Sequence, residues 1–161
     1  MSIKLLEGEK VLRVYHHHPT PFIFNVLKVI LAFSPFYFLL WGVDSILSLF
    51  WAIIGHLVLI FFFILVIIYI SLIYWLDRLV ITNMRIIYID YKYLTVRDDS
   101  VAFLEDIQDV KTDEKGLLAY FKFFDYGTMT VDTPSSYITL IFEDAPNPEG
   151  IRQFVYHVKS Q

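Results

Sequence analysis

Residues 50–76 read FWAIIGHLVLIFFFILVIIYISLIYWL and contain no Asp, Glu, Lys or Arg; His56 is the one titratable group besides two tyrosines. As a helix at 1.5 Å per residue this stretch covers about 40 Å, more than the ~30 Å hydrocarbon core of a bilayer. Its apolar residues fall on every face, which suits lipid rather than a half-wet surface. A chain of 161 residues has too little mass to enclose such a helix on all sides. The stretch therefore predicts a membrane span and dictates how the remaining residues must be arranged.

A second apolar run, residues 22–41 (FIFNVLKVILAFSPFYFLLW), is long enough to cross as well. Lys28 near its start can snorkel to the headgroups, and Pro35 near its middle predicts a kink. Residues 42–47 form a short turn, so 22–41 and 48–76 make an antiparallel hairpin. Trp41 and Trp51 flank that turn, while Tyr74 and Trp75 close the far end, where an aromatic belt anchors. Arg78 follows immediately. Lys4, Lys10, Arg13, Lys28, Arg78 and Arg85 all flank the ends away from the turn, which itself has only Asp44. The positive-inside rule then predicts a multi-pass protein of the cell's inner membrane with both termini cytoplasmic. Residues 1–21 read as a separate cytoplasmic lead-in, ended by Pro19 and Pro21, with no signal-peptide cleavage pattern.

After Leu76 the pattern changes from continuous to alternating. RLVIT (78–82) and RIIYID (85–90) are β-rich runs around Asn83-Met84, a hairpin signal. Residues 91–99 hold a weaker strand and a charged turn, and 100–111 one or two strands more. GTMTVDT (127–133) alternates, with Met129 and Val131 on one face, and YITLIF (137–142) alternates again. The close is a helix: Asn147 as N-cap, Pro148 in the first turn, Glu149 at the positive dipole end, and Ile151, Phe154, Val155 and Val158 as one apolar stripe. The expected fold class is a membrane α-helical hairpin (22–76) plus an α+β domain (77–161). That domain is a small antiparallel β-barrel or sandwich of about seven strands, capped by the C-terminal helix.

Four segments carry a resemblance: WLDRLVITNMRIIYID (75–90), FLEDIQDV (103–110), KGLLAYFKFFDYGTMTVDT (115–133) and NPEGI (147–151). In this order and spacing they resemble the bacterial pleckstrin-homology-like membrane family, whose members carry a transmembrane hairpin followed by this domain. The resemblance spans nearly the whole chain. It implies a PH-like head on a membrane anchor and a place at the cell envelope, in a family with no well-established common biochemical activity.

The residues themselves say what chemistry to expect. There is no cysteine, so disulfides, thiol catalysis and thiolate metal sites are excluded. From residue 77 onward nine Lys/Arg face fourteen Asp/Glu, an acidic balance that argues against nucleic acid as a partner. His16-His17-His18 is the most conspicuous polar cluster, but adjacent residues point different ways and cannot readily share one metal. His56, about a turn and a half past Trp51, is expected near the outer headgroups as a neutral imidazole bonded on the Ser34 or Tyr37 side of the partner helix. The acids Asp98, Asp99, Glu105, Asp106, Asp109, Asp113 and Glu114 follow no calcium-loop spacing and read as solvated turns and strand edges. Tyr120, Phe121, Lys122, Phe123, Phe124 and Tyr126 form an aromatic stretch that either fills the core or presents an interaction patch.

The resulting expectation is a non-catalytic membrane protein with no cofactor, no metal and no small-molecule substrate. Its partners are membrane lipids and either another protein or further copies of itself, the PH-like domain acting as an interaction and assembly module. The alternatives are a lipid-headgroup sensor and, further off, a subunit of an oligomeric channel or transporter.

Overall fold

The computed structural model describes residues 4–114, 125–134 and 140–160. The chain divides into two compact units: Pro19–Leu72, and a second formed by Met1–His18 together with Ile73–Gln161. Most of the lead-in thus clusters with the β-rich unit, to which it contributes a short strand within residues 7–15.

The helical unit consists of α1 (Pro19–Val43) and the larger part of α2 (Leu49–Leu76). Each is long and apolar enough to cross a membrane, and no residue of either one's most apolar window is buried. Pro19 and Pro21 were expected to stop the chain before α1. They lie instead in its first turn, where the missing N–H groups have no helical partner to lose. Within the unit, Phe33 meets Phe63 edge to face at 5.4 Å. Gly55 gives Leu40 its place, for a Cβ there would lie 3.0 Å from Leu40 Cδ1.

The β unit has two sheets. The first has the order β1 (Val11–Tyr15), β2 (Arg78–Thr82), β3 (Arg85–Tyr93), β4 (Val96–Phe103), all antiparallel. The second runs β5 (Asp109–Glu114), β6 (Tyr126–Asp132), β7 (Leu140–Pro146). A single 3₁₀ turn, Leu104–Asp106, joins β4 to β5. β-Branched and aromatic residues make up most of β2 and β3, as suits strands packed in a sheet. The two-residue turn between them needs no glycine, because Thr82 Oγ1 accepts from the backbone N–H groups of Met84 (3.2 Å) and Arg85 (2.9 Å).

The main core lies between the sheets. Leu79, Ile81 and Ile86 from the first sheet meet Met129, Val131, Leu140 and Phe142 from the second, and all seven are fully buried. The helix α3 (Pro148–Lys159) adds Ile151 and Val155, with Phe154 and Val158 packed beside them, so the expected apolar stripe is the face that caps the core. Asn147 caps it as expected: its Oδ1 accepts from Gly150 N–H at 2.8 Å. A smaller cluster of Val80, Ile87, Ile89 and Tyr91 covers the other face of the first sheet.

The strand order holds the central topological fact. Val14 pairs with Val80 and Tyr15 with Leu79, so the first strand lies before the two long helices and its neighbour after them. The hairpin is an excursion from within one β-sheet.

Candidate functional site

The chain passes between sheet and helices twice: through His16-His17-His18, between β1 and α1, and through Asp77, between α2 and β2. Because β1 and β2 are ladder partners, the two passages are held side by side. Four elements of the β unit converge there.

His16 places Nδ1 3.3 Å from the Asp77 carbonyl oxygen, and its ring is 6.2 Å from that of Trp75. His17 is half-buried, with Nδ1 2.7 Å from the Glu143 carbonyl on β7 and Nε2 3.8 Å from Asp77 Oδ2. Its ring lies 4.9 Å from Phe142 and 6.2 Å from Tyr88, and its carbonyl accepts from the Tyr74 hydroxyl at 2.8 Å. His18 donates its backbone N–H to the Asp144 carbonyl at 2.8 Å, and its ring stacks on Tyr126 at 5.4 Å. The three imidazoles thus face three different sets of partners. Among the described residues no group of three or more His, Cys, Asp or Glu is arranged to hold a metal ion.

The electrostatics follow from burial. Asp77 is pushed up from the ordinary carboxylate range by desolvation, and Asp90 pushes the same way, while the Tyr91 amide and His17 pull it back. That amide donates to Asp77 Oδ1 at 2.8 Å. Burial lowers His18, against the attraction of Asp125 and Asp144. Tyr88 is driven far above its usual range by desolvation and then by Asp90, Asp77, Glu143 and Asp144. A hydrogen-bonded junction of this kind holds the two passages to the β unit.

The other residues singled out in the sequence are scattered. Lys28 is exposed on α1, bonded to Asn25 Oδ1 at 3.3 Å. Trp41, Trp51 and Trp75 are exposed at 73%, 61% and 72%. Arg78 lines a groove of about 290 Å³ with Leu5, Val11, Val14 and Val80. His56 departs from the expected contact with Ser34 or Tyr37. Its Nδ1 bonds the Ala52 carbonyl one turn back at 2.9 Å, and Nε2 then faces Asp44 Oδ2 at 3.7 Å. Ser34 turns to its own helix, donating to the Leu31 carbonyl at 2.9 Å, and the Tyr37 ring lies 6.5 Å from His56. Of the aromatic stretch, Tyr120, Phe121, Lys122, Phe123 and Phe124 lie outside the described residues. Tyr126 is half-buried against His18.

Sequence reasoning passed over Asp77. Its signal was its position: a lone acid with no loop around it, between the end of an apolar helix and the start of an apolar strand. An ionisable group in such a place is solvated by specific partners or not at all.

A family model described as "Bacterial PH domain" matches residues 59–139, half of the chain. The protein belongs to the bacterial PH domain family. Its seven described strands and C-terminal helix are a PH-like fold, in which β1 and β2 are separated in sequence by the two helices. Among solved structures, a DUF1696 family protein with a pleckstrin-homology domain from Shewanella loihica PV-4 is similar. It shows 16% identity and a TM-score of 0.40, over 52% of this chain and 70% of that one. No curated protein matches this bacterial PH domain chain.

Proposed function

We propose that this bacterial PH domain protein is a non-catalytic, membrane-held assembly module whose head binds a second copy of itself along β1, the outer strand among the described residues of its sheet. One observation carries the reading: the apolar hairpin is inserted between two paired strands of the PH-like sheet. A chain that leaves from β1 and returns to β2 comes back to the side it left, so two spanning helices put both termini on one face of the membrane.

The edge supports the second half of the proposal. In the order β1-β2-β3-β4, β1 is an outer strand, and it exposes Val11 (44%), Leu12 (43%) and Val14 (45%) beside the groove lined by Leu5 and Val80. An apolar outer strand is a template for pairing with another strand. The anchor favours a second copy as the occupant. It confines every molecule to one surface in one orientation, which raises the effective concentration of like edges for one another.

Native mass spectrometry of the full chain released from detergent is the test. The expected result is a dimer or higher even-numbered assembly that dissociates in Leu12→Lys and Val14→Lys variants. A monomer, or an assembly indifferent to both substitutions, overturns the proposal. A monomer that retains anionic phospholipid would favour headgroup sensing instead, and ion flux in liposomes holding only this protein would favour a channel subunit.

A further inference from the structure

We propose that His17 and Asp77 are a protonation-dependent clasp, in which one proton taken up by the pair makes their contact attractive and so locks together the two passages that join the β unit to its helices. This goes beyond the assembly role and does not depend on it.

The geometry fixes where the hydrogens are. A carbonyl oxygen only accepts, so at 2.7 Å from the Glu143 carbonyl the Nδ1 of His17 must carry a hydrogen. In the neutral imidazole, Nε2 is then a bare lone pair, and it faces Asp77 Oδ2 at 3.8 Å. With Asp77 ionised, two acceptors oppose each other. One added proton, on Nε2 or on Oδ2, makes the contact attractive. On Nε2 it makes an imidazolium–carboxylate ion pair of zero net charge at 3.8 Å, and on Oδ2 it removes the carboxylate charge that the Nε2 lone pair faces.

Neither group can avoid the other. The side chains are only 13% and 11% exposed, so water screens them weakly. The Tyr91 N–H holds Asp77 Oδ1 at 2.8 Å, and Phe142 and Tyr88 wall the imidazole. Asp90 acts on Asp77, and the Tyr88 ring faces His17, both from β3. From β7 the Glu143 carbonyl accepts from His17, and the Glu143 and Asp144 charges act on Tyr88 beside the pair. Tyr74 reaches it from the end of α2, and Asp125 acts on the adjacent His18. His16 is held on the Asp77 carbonyl, and Arg78, next on β2, has its side chain in the Leu5–Val80 groove. The upward displacement of Asp77 by burial favours proton uptake.

The test is imidazole nitrogen NMR of the full chain, histidine-labelled and held in lipid nanodiscs, from about pH 5 to 9, the range in which histidine titrates. In the wild type, His17 Nδ1 is expected to stay protonated throughout while Nε2 gains a proton with a single midpoint. Asp77→Asn keeps an oxygen for the Tyr91 amide and offers Nε2 an N–H without any proton uptake. In that variant the His17 midpoint is expected to fall by at least about one pH unit, with His56 and His157 unmoved. An unchanged His17 midpoint overturns the proposal. A second measurement needs no variant: amide exchange of Val11–Tyr15 in the wild type, corrected for intrinsic rates. Protection is expected to weaken above the midpoint by up to about tenfold per pH unit, as linkage to one proton requires. Equal protection on both sides of the midpoint would equally sink the clasp.

Discussion

Glu9 and Arg85 form a two-toothed ion pair across 76 positions of sequence: Nε to Oε1 at 2.9 Å and Nη2 to Oε2 at 3.0 Å. The Glu9 carboxylate is fully covered and also accepts from the Leu6 N–H at 2.7 Å, while Arg85 Nη2 reaches back to the Lys4 carbonyl. The pair staples the lead-in to the β2–β3 turn, reinforced by the Lys10 N–H on Asn83 Oδ1 at 2.7 Å.

Glu9→Gln leaves the Arg85 guanidinium without its counter-charge in a covered site and is expected to cost about 3 kcal/mol. The loss should appear as a lower chemical-denaturation midpoint of the full chain at neutral pH. Glu9→Asp, which shortens the reach by one methylene, should fall between the two.

Acid should weaken the same staple. Arg85 holds the Glu9 carboxyl well below its ordinary value, at about 2. A group whose folded value is depressed gives its full stabilisation above its unfolded value and loses it as pH falls through the folded one. Glu9 thus stabilises fully above about pH 4.5 and gives way between there and about pH 2. Asp77 runs the other way: raised by burial, it stabilises most below the ordinary carboxylate value and less as pH climbs through its own. An acid titration of stability should accordingly be shallower in Glu9→Gln than in the wild type, and steeper in Asp77→Asn.

A fragment of residues 77–161 lacks β1, Glu9 and all three junction histidines, and is expected to be unfolded or aggregated because β2 becomes a bare apolar edge. Joining Tyr15 to Arg78 by a short Asn-Gly-type turn in place of the hairpin should restore a folded, freely soluble head, since those strands already pair at Tyr15–Leu79. Dispersion of amide NMR signals separates the two outcomes.

Asn147→Ala removes the side chain that accepts from Gly150 N–H at 2.8 Å and leaves alanine at a left-handed φ of 46°. The combined loss is expected to be about 1–2 kcal/mol. Gly150→Ala should act through the same contact, because a Cβ there would lie 2.9 Å from Asn147 Oδ1. The double variant should cost less than the sum, measurable as a thermal-melt cycle.

How far the sequence exposes this protein differs by element. The apolar runs, the β2–β3 turn and the α3 stripe are local signals, each set by residues within a few positions of one another, and each is where its pattern puts it. The place of β1 is not local: VLRVY exposes four of its five residues, so nothing in its pattern marks it as a sheet partner of RLVIT across two helices. The His17–Asp77 approach joins residues on either side of the hairpin, and it follows only once that ladder is known. His56 misled for a simpler reason: a carbonyl one turn back was nearer than any hydroxyl on the neighbouring helix.

The excursion of the hairpin from within the sheet gives the head two covalent leashes. A protease that nicks the chain only between Tyr15 and Pro19 leaves the head attached through Asp77, and a nick at Asp77 leaves it attached through β1 and the lead-in. Separating the head from the hairpin takes two cuts on opposite sides of an intact β-ladder, and a single cleavage would change its mechanics without setting it free.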